Sequence, residues 1–215
     1  MKLFGYWRSS ATYRVRIAMA LKGLDYDYEP VNLLKGEQKT DAYIAKNPTG
    51  LVPTLATSNG AFLNQSLAIM EYLEEAHPEP TILPGNAVAK ANTRAIAATI
   101  ACEAQPLMNL RIQKYLKNDG GFDDDAVKDW LNAWPANAMA AVEKTLARTA
   151  GDFCIGDVPT MADCCLVPQM FAAQRFGVET SGFTKMNEIY ERCQKHPAFE
   201  KAHPLNQPDA PEGNS

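Results

Sequence analysis

Arg8, Ser9 and Ser10 put one cation and two hydroxyls at the joint of "YWRSSATYRVRIA", which begins like the end of a strand and finishes like an amphipathic helix. A helix start leaves N–H groups unpaired and carries partial positive charge, so it can bind an anion. Capping uses one hydroxyl at most. An anion or a thiolate could use all three residues. A second helix start falls at Gln65–Ser66 in "NQSLAIMEYLEE", where Ser66 reads as the N-cap. Arg14 and Arg16 are two apart and cannot share a helix face. At least one of them is expected at the surface, solvated or salt-bridged.

The elements that must position these residues alternate over the first 80 positions. "KLFGYW" reads as a strand, "ATYRVRIAMALKG" as a helix with Gly23 past its end, and "YDYEPVNL" as a second strand. "GEQKTDAYIAKNP" reads as a short helix or irregular segment. "LVPTLAT" and "GAFLN" read as strands joined at "SNG", followed by the helix "SLAIMEYLEEAHP". This order, β-α-β-α-β-β-α, is that of a thioredoxin-like unit. Its two helix starts lie at one sheet edge with the backbone of Val52 between them, so one molecule could bridge a carboxylate at Ser66 and a thiolate at Ser9–Ser10. Pro53 is badly placed for a central strand. Two readings stand: a cis peptide where the strand begins, turning the polar groups of residue 52 toward a ligand, or an edge strand.

A proline-rich stretch, "HPEPTILPGNAVA", reads as a linker, and the pattern from residue 87 to 203 is helical. "AKANTRAIAATIACEAQPLMNLRIQKYL" reads as one long helix, open to a bend at Pro106. Three more follow in "DDDAVKDWLNAWPANAMAAVEKTLART", "TMADCCLVPQMFAAQRFGV" and "MNEIYERCQKHPAF", the third-numbered of the four opening on a capping box of Thr160 and Asp163. The domains expected are therefore 1–82, an α/β thioredoxin-like unit, and 87–203, all-α. The polar stretch 204–215 is expected to be a disordered tail.

Composition narrows the chemistry. With 21 Lys+Arg against 25 Asp+Glu, the net charge of −4 implies no nucleic acid partner. No apolar run approaches a membrane span and no secretory leader is recognised, so the expectation is a cytoplasmic protein without membrane association. Five cysteines, an odd number without C-x-x-C spacing, argue against disulfides and a zinc ribbon, and Cys164 and Cys165 read as buried thiols. His77, His196 and His203 each precede proline and read as helix-end or loop residues. No metal cluster and no histidine base is expected.

The order of these features resembles the glutathione transferase family, and within it the zeta class that includes maleylacetoacetate isomerase. The stretches that carry the resemblance are "WRSSATYRVRIAMALKG", "NPTGLVPTL", "NQSLAIMEYLEE", "QPLMNLRIQKYL", "GDVPTMADCCLVPQ" and "RFGV", which span nearly the whole chain. The resemblance implies glutathione as cofactor and a homodimer. Ser9 would stabilise its thiolate with Ser10 in support. Gln65 and Ser66 would hold the γ-glutamyl end, Val52 would pair with the cysteinyl backbone, and Gln38, Gln105 and Asn109 match further glutathione positions. Arg175, in "QRFGV", matches a holder of a substrate carboxylate. Arg111 is either a second such clamp or a surface arginine. The chain departs from the pattern at Ala11, where the class usually has cysteine, and at Tyr13, where it has tryptophan or histidine.

The activity so implied is cis–trans isomerisation of an unsaturated keto-dicarboxylate of the maleylacetoacetate or maleylpyruvate type. The thiolate would add reversibly to the double bond, and Arg8 would stabilise charge on the substrate oxygen. Ala11 cannot form a mixed disulfide, which counts against cysteine-dependent reductive dehalogenation and leaves isomerisation open. Two alternatives stand beside it: a zeta-class transferase or haloacid dehalogenase, and a non-catalytic binding protein of the same fold.

Overall fold

The computed structural model describes residues 1–211 of the 215-residue chain. They form two compact units, Met1–Ile82 with 194–211, and Leu83–Cys193.

The first unit begins with β1 (Lys2–Gly5), α1 (Ser10–Leu21) and β2 (Asp27–Pro30), with β2 parallel to β1. A 3₁₀ turn at Glu37–Lys39 and α2 (Asp41–Ile44) lead to β3 (Thr54–Ala56), β4 (Phe62–Asn64) and α3 (Ser66–Ala76). The sheet order is β2-β1-β3-β4, and β3 runs antiparallel to both of its neighbours. This is the expected thioredoxin-like arrangement. Leu3 and Leu55 are register partners and are wholly buried. A Cβ at Gly5 would lie 2.3 Å from Cγ2 of Thr12, so α1 approaches the Leu3–Gly5 face of the sheet more closely than any side chain at position 5 would permit. Side chains alternate across a strand, so Phe4 points the other way, and its ring meets that of Tyr43 in α2 at 6.5 Å. α3 packs beside α1. Their C-terminal ends are locked by Lys22, whose buried ammonium pairs with Glu74 at 2.6 Å and donates to the carbonyls of His77 and Pro80. The Glu74 carboxylate also accepts from Thr81 Oγ1 and the Ile82 N–H.

The edge-strand reading of Pro53 does not hold. β3 is internal to the sheet, Pro53 lies just before its paired residues, and the Val52–Pro53 peptide is cis.

The helical signal was expected to run as one domain to residue 203. Instead α9 (Pro197–Ala202) packs on α1 in the first unit, where Nε of the buried Arg16 donates to the Ala202 carbonyl at 3.0 Å. Of the stretch expected to be a disordered tail, residues 204–211 are placed. Pro204–Asn206 form a 3₁₀ turn, Asn206 Nδ2 donates to the Glu200 carbonyl, and Gln207 Nε2 donates to the carbonyls of Lys201 and His203. Side-chain amides satisfying the last carbonyls of α9 give this polar segment a place without an apolar core of its own. Residues 212–215 lie outside the described residues.

The second unit contains α4 (Ala87–Ala98), α5 (Leu110–Asn118), α6 (Asp124–Thr149), α7 (Met161–Arg175) and all but the last residue of α8 (Thr184–Gln194). The single long helix expected around Pro106 is interrupted. After α4 the chain passes through a π-helical stretch, Thr99–Ala104, and a 3₁₀ stretch, Gln105–Met108. It then restarts at Asn109, whose extended backbone and side-chain oxygen cap α5. Proline removes a ladder donor, and an Asn three residues later supplies the new cap. α7 is the buried spine of this unit. Every residue from Met161 to Met170 is buried, and the helix opens on the Thr160–Asp163 capping box.

Cys154, Cys164, Cys165 and Cys193 are buried free thiols and Cys102 is exposed. Among the described residues no helix is long and apolar enough to cross a membrane, and no His/Cys/Asp/Glu group could hold a metal ion.

Candidate active site

The register of the first sheet decides what meets at its edge. Phe4 pairs with Thr54, and Thr54 with Asn64. The residues that follow β1, precede β3 and follow β4 therefore leave the sheet at the same end. These are Arg8, Ser9 and Ser10, then Val52, then Gln65 and Ser66. The structure thus brings together six of the sequence-derived candidates within the first unit.

The chain turns from β1 into α1 through residues 6–9, closed by the Ser9 N–H donating to the Tyr6 carbonyl at 2.9 Å. Ser9 is extended and caps α1, its Oγ accepting from the Thr12 N–H at 3.3 Å. A hydroxyl has one proton and two acceptor sites. Capping uses an acceptor site, so the proton remains available to an anion in front of the helix. Ser10 is the first helical residue and is half-buried. The Arg8 guanidinium lies 5.7 Å from the ring centroids of both Tyr6 and Trp7, which rest it on an aromatic platform.

The start of α3 is built differently. Ser66 was expected to be its N-cap, but that position belongs to Gln65, with φ 67° and ψ 114° and no side-chain cap. Ser66 is already helical and buried, and its Oγ accepts from Nη1 of Arg14 at 3.2 Å. A hydroxyl engaged this way is turned away from the backbone N–H groups it would otherwise cap. A glutamine at positive φ is strained, and the strain falls where β4 hands over to α3. Neither α1 nor α3 has an acidic residue in its first turn. Asp or Glu there would neutralise the helix dipole, so both starts keep their attraction for an external anion.

Arg14 was missed as a site residue, and the expectation that Arg14 or Arg16 is a surface residue is wrong. They are 2% and 1% exposed. Arg14 links the α1 face to the α3 start. Arg16 donates from Nη2 to the Trp7 carbonyl at 2.8 Å as well as to Ala202, and stands 5.3 Å from the Tyr13 ring centroid. The usable signal was that α1 is apolar on every side of these arginines, the mark of a buried helix.

Gln38 lies in the 3₁₀ turn before α2, and its Oε1 is buried without a hydrogen-bond partner. Such an acceptor is costly unless something donates to it. Burial, then the nearby Arg16 charge, lowers the pKa of His203, whose Nδ1 accepts from the Leu205 N–H.

The remaining candidates belong to the second unit. Gln105 opens the 3₁₀ stretch, Asn109 caps α5 by accepting from the Arg111 N–H at 3.1 Å, and Arg111 is exposed. Arg175 is exposed in the last turn of α7, its guanidinium 4.3 Å from the Phe176 ring centroid. Trp130 Nε1 and Gln113 Nε2 hold the carbonyls of Leu107 and Met108 in the interrupted segment that carries Gln105 and Asn109.

Residues 8–76 match the family model for the glutathione S-transferase N-terminal domain. Maleylacetoacetate isomerase of Pseudomonas aeruginosa is 44% identical over 213 residues, covering 98% of this chain and 99% of the relative. The chain belongs to the glutathione transferase family, in its zeta class. A solved zeta-class relative, a maleylpyruvate isomerase in its holo form, superposes with a TM-score of 0.94 at 40% identity, covering 98% of this chain and 100% of that one. The maleylacetoacetate isomerase of Methylobacterium extorquens AM1, solved with malonate and glutathione bound, gives a TM-score of 0.92 at 36% identity with the same coverage. The glutathione transferase architecture, a thioredoxin-like unit and an all-α unit, is thus the one expected from the sequence.

Proposed function

We propose that this protein is a glutathione-dependent cis–trans isomerase of an unsaturated keto-dicarboxylate, of the maleylacetoacetate or maleylpyruvate type. The observation that carries the reading is the pair of helix starts at one sheet edge, neither neutralised by an acidic residue, with Val52 beside them. The full-length relatives named above supply the reaction class.

The residues present fit glutathione, a peptide thiol with two carboxylates. The uncapped N–H groups of α3 suit its γ-glutamyl carboxylate, with Gln65 and Ser66 as the holders. Val52 offers backbone groups to the cysteinyl part, and the unpaired Oε1 of Gln38 offers an acceptor. Gln105 and Asn109 are proposed as further contacts. A free thiol has a pKa of about 8.5. The α1 dipole, the Ser9 hydroxyl and a nearby cation all favour its thiolate. Ser9 donates a hydrogen bond and gives up no proton, so no histidine is required.

When bound, glutathione supplies the nucleophile whose addition and departure let the substrate double bond rotate from cis to trans. Ser9, supported by Ser10, holds that sulfur charged and aimed. Arg8 meets the negative charge that develops on the substrate oxygen. Arg175, and Arg111 beside it in role, would hold substrate carboxylates by bidentate pairing. Ala11 supplies no thiol of its own, and this chemistry needs none. A homodimer, a cytoplasmic location and a place in aromatic amino acid catabolism complete the reading, on family likeness alone.

The test is isomerisation of maleylacetoacetate and maleylpyruvate with and without glutathione, for wild type and Arg175→Ala. Glutathione-dependent turnover that falls at least about tenfold in the variant is expected. Conversion that ignores glutathione would contradict the reading. Failure on both diacids with turnover of small α-halo acids would move the assignment to a dehalogenating transferase.

A further inference from the structure

Trp7 is the residue of the β1–α1 turn that precedes Arg8 and Ser9, and both polar groups of its backbone are held by side chains, the N–H by one from the far end of the first unit. Its N–H donates to Oδ2 of Asp209 at 2.9 Å, across 202 positions of sequence. Its carbonyl accepts from Nη2 of Arg16 at 2.8 Å, and Arg16 in turn holds the Ala202 carbonyl. The same Asp209 oxygen lies 3.4 Å from the Tyr28 hydroxyl. Asp209 is itself set by the folded C-terminal segment, where Gln207 bonds back to Lys201 and His203 and the Ala210 N–H closes a turn on the Gln207 carbonyl at 3.0 Å.

We propose that Asp209 is a positioning residue for the thiolate site: the C-terminal segment is a strap that fixes the turn from which Arg8 and Ser9 project. The inference rests on the glutathione reading above. A two-residue step separates the pinned Trp7 N–H from the Ser9 hydroxyl, and the intervening turn has one backbone hydrogen bond of its own, from Ser9 to Tyr6. Without the carboxylate the Trp7 N–H loses its acceptor, and the turn can pivot about the Arg16 contact. A displacement of about 1 Å at a charge-stabilising donor is enough to cost most of its effect. The strap therefore acts on the thiolate through hydrogen-bond geometry, and Asp209 touches neither cofactor nor substrate.

The test compares wild type with Asp209→Ala, Asp209→Glu, Asp209→Asn and Leu205→Ala, the last a control on the exposed side of the same segment. Three quantities are read: glutathione affinity by calorimetry, the pKa of bound glutathione from its ultraviolet thiolate absorbance, and the thermal unfolding midpoint. Asp209→Ala removes the acceptor, and Asp209→Glu keeps the charge but moves the acceptor by one methylene. Both are expected to raise the bound thiol pKa by about one unit, a tenfold loss of thiolate below it. Asp209→Asn keeps a carbonyl oxygen in place and is expected to behave as wild type, as is Leu205→Ala. Unchanged thiol pKa in Asp209→Ala and Asp209→Glu overturns the strap, whatever the unfolding midpoint does. So does a shift in Asp209→Asn equal to that in Asp209→Ala, because an acceptor oxygen kept at position 209 would then make no difference. Asp209→Glu carries the test if Asp209→Ala does not fold. A wild type that shows no bound thiolate at all overturns the glutathione reading itself, and the strap with it.

Discussion

The start of α7 is wholly buried and that of α3, Ser66 apart, is open to solvent, and the two are built in opposite ways. At α7 the protein answers its own needs. The Asp163 carboxylate, wholly buried, takes hydrogen bonds from the Thr160 N–H, the Thr160 hydroxyl and the Cys154 N–H, while Thr160 caps in return. At α3 the cap residue is a strained glutamine with no capping side chain, the serine that follows is turned to Arg14, and no acidic residue faces the dipole. A helix start filled from within fastens the fold. One left open, at an edge where two other backbone segments also emerge, is a place for a ligand's charge.

The largest effect that would break this contrast is at α7. Asp163→Ala leaves two buried N–H groups and a hydroxyl unpaired, and is expected to cost about 4 kcal/mol of stability in urea unfolding. A loss below about 1 kcal/mol, that of an ordinary exposed cap, would mean the box does not fasten the unit. At the α1 start, Ser9→Ala is expected to lower kcat of the glutathione-dependent reaction about a hundredfold, close to 2.7 kcal/mol. Its stability loss should be only that of a cap, about 1 kcal/mol. Ser9→Thr, which keeps the hydroxyl, should retain most of the rate. Gln65→Gly reverses the sign seen at α7. Removing a strained side chain should stabilise the protein by about 1 kcal/mol while weakening glutathione binding measured by calorimetry.

The smallest effect lies at the locked far end of α3. Burial works to raise the Glu74 pKa, and the hydrogen bonds from Lys22, Thr81 and the Ile82 N–H together outweigh it, leaving the carboxyl below its ordinary value of 4.5. A depressed folded-state pKa means the unfolded chain takes up the proton first. The stabilisation is therefore complete above about pH 4.5 and is lost as pH falls through the lowered value. Thermal unfolding of wild type should lose stability more steeply than Glu74→Gln in that acid window. Parallel acid limbs would show that the lock contributes nothing through charge.

What was legible in the sequence followed from local pattern. Strand and helix order, a serine cap at Ser9 or Ser10, the Thr160–Asp163 box and the buried cysteines all rest on residues close in sequence. Misreadings came where distant parts of the chain decide the outcome. Ser66 has the residue type of an N-cap, but the backbone turn at Gln65 and the reach of Arg14 across 52 positions assign its hydroxyl elsewhere. Arg14 and Arg16 look like surface charges until α3, Trp7 and α9 are placed around α1. The interruption before α5 was signalled by Pro106 and Asn109, yet a sustained apolar period hid it. Positions 204–211 have the composition of a loose tail, and their order comes from side-chain bonds to α9 and to Trp7 that no local pattern announces.

The central claim is that the open helix starts of the first unit hold glutathione as a thiolate. It is tested most directly by titrating the ultraviolet thiolate absorbance of glutathione bound to the wild-type protein. The account predicts a pKa about two units below the free-thiol value of about 8.5, and a return toward that value in Ser9→Ala. Bound glutathione that titrates like the free thiol in the wild-type protein would contradict it.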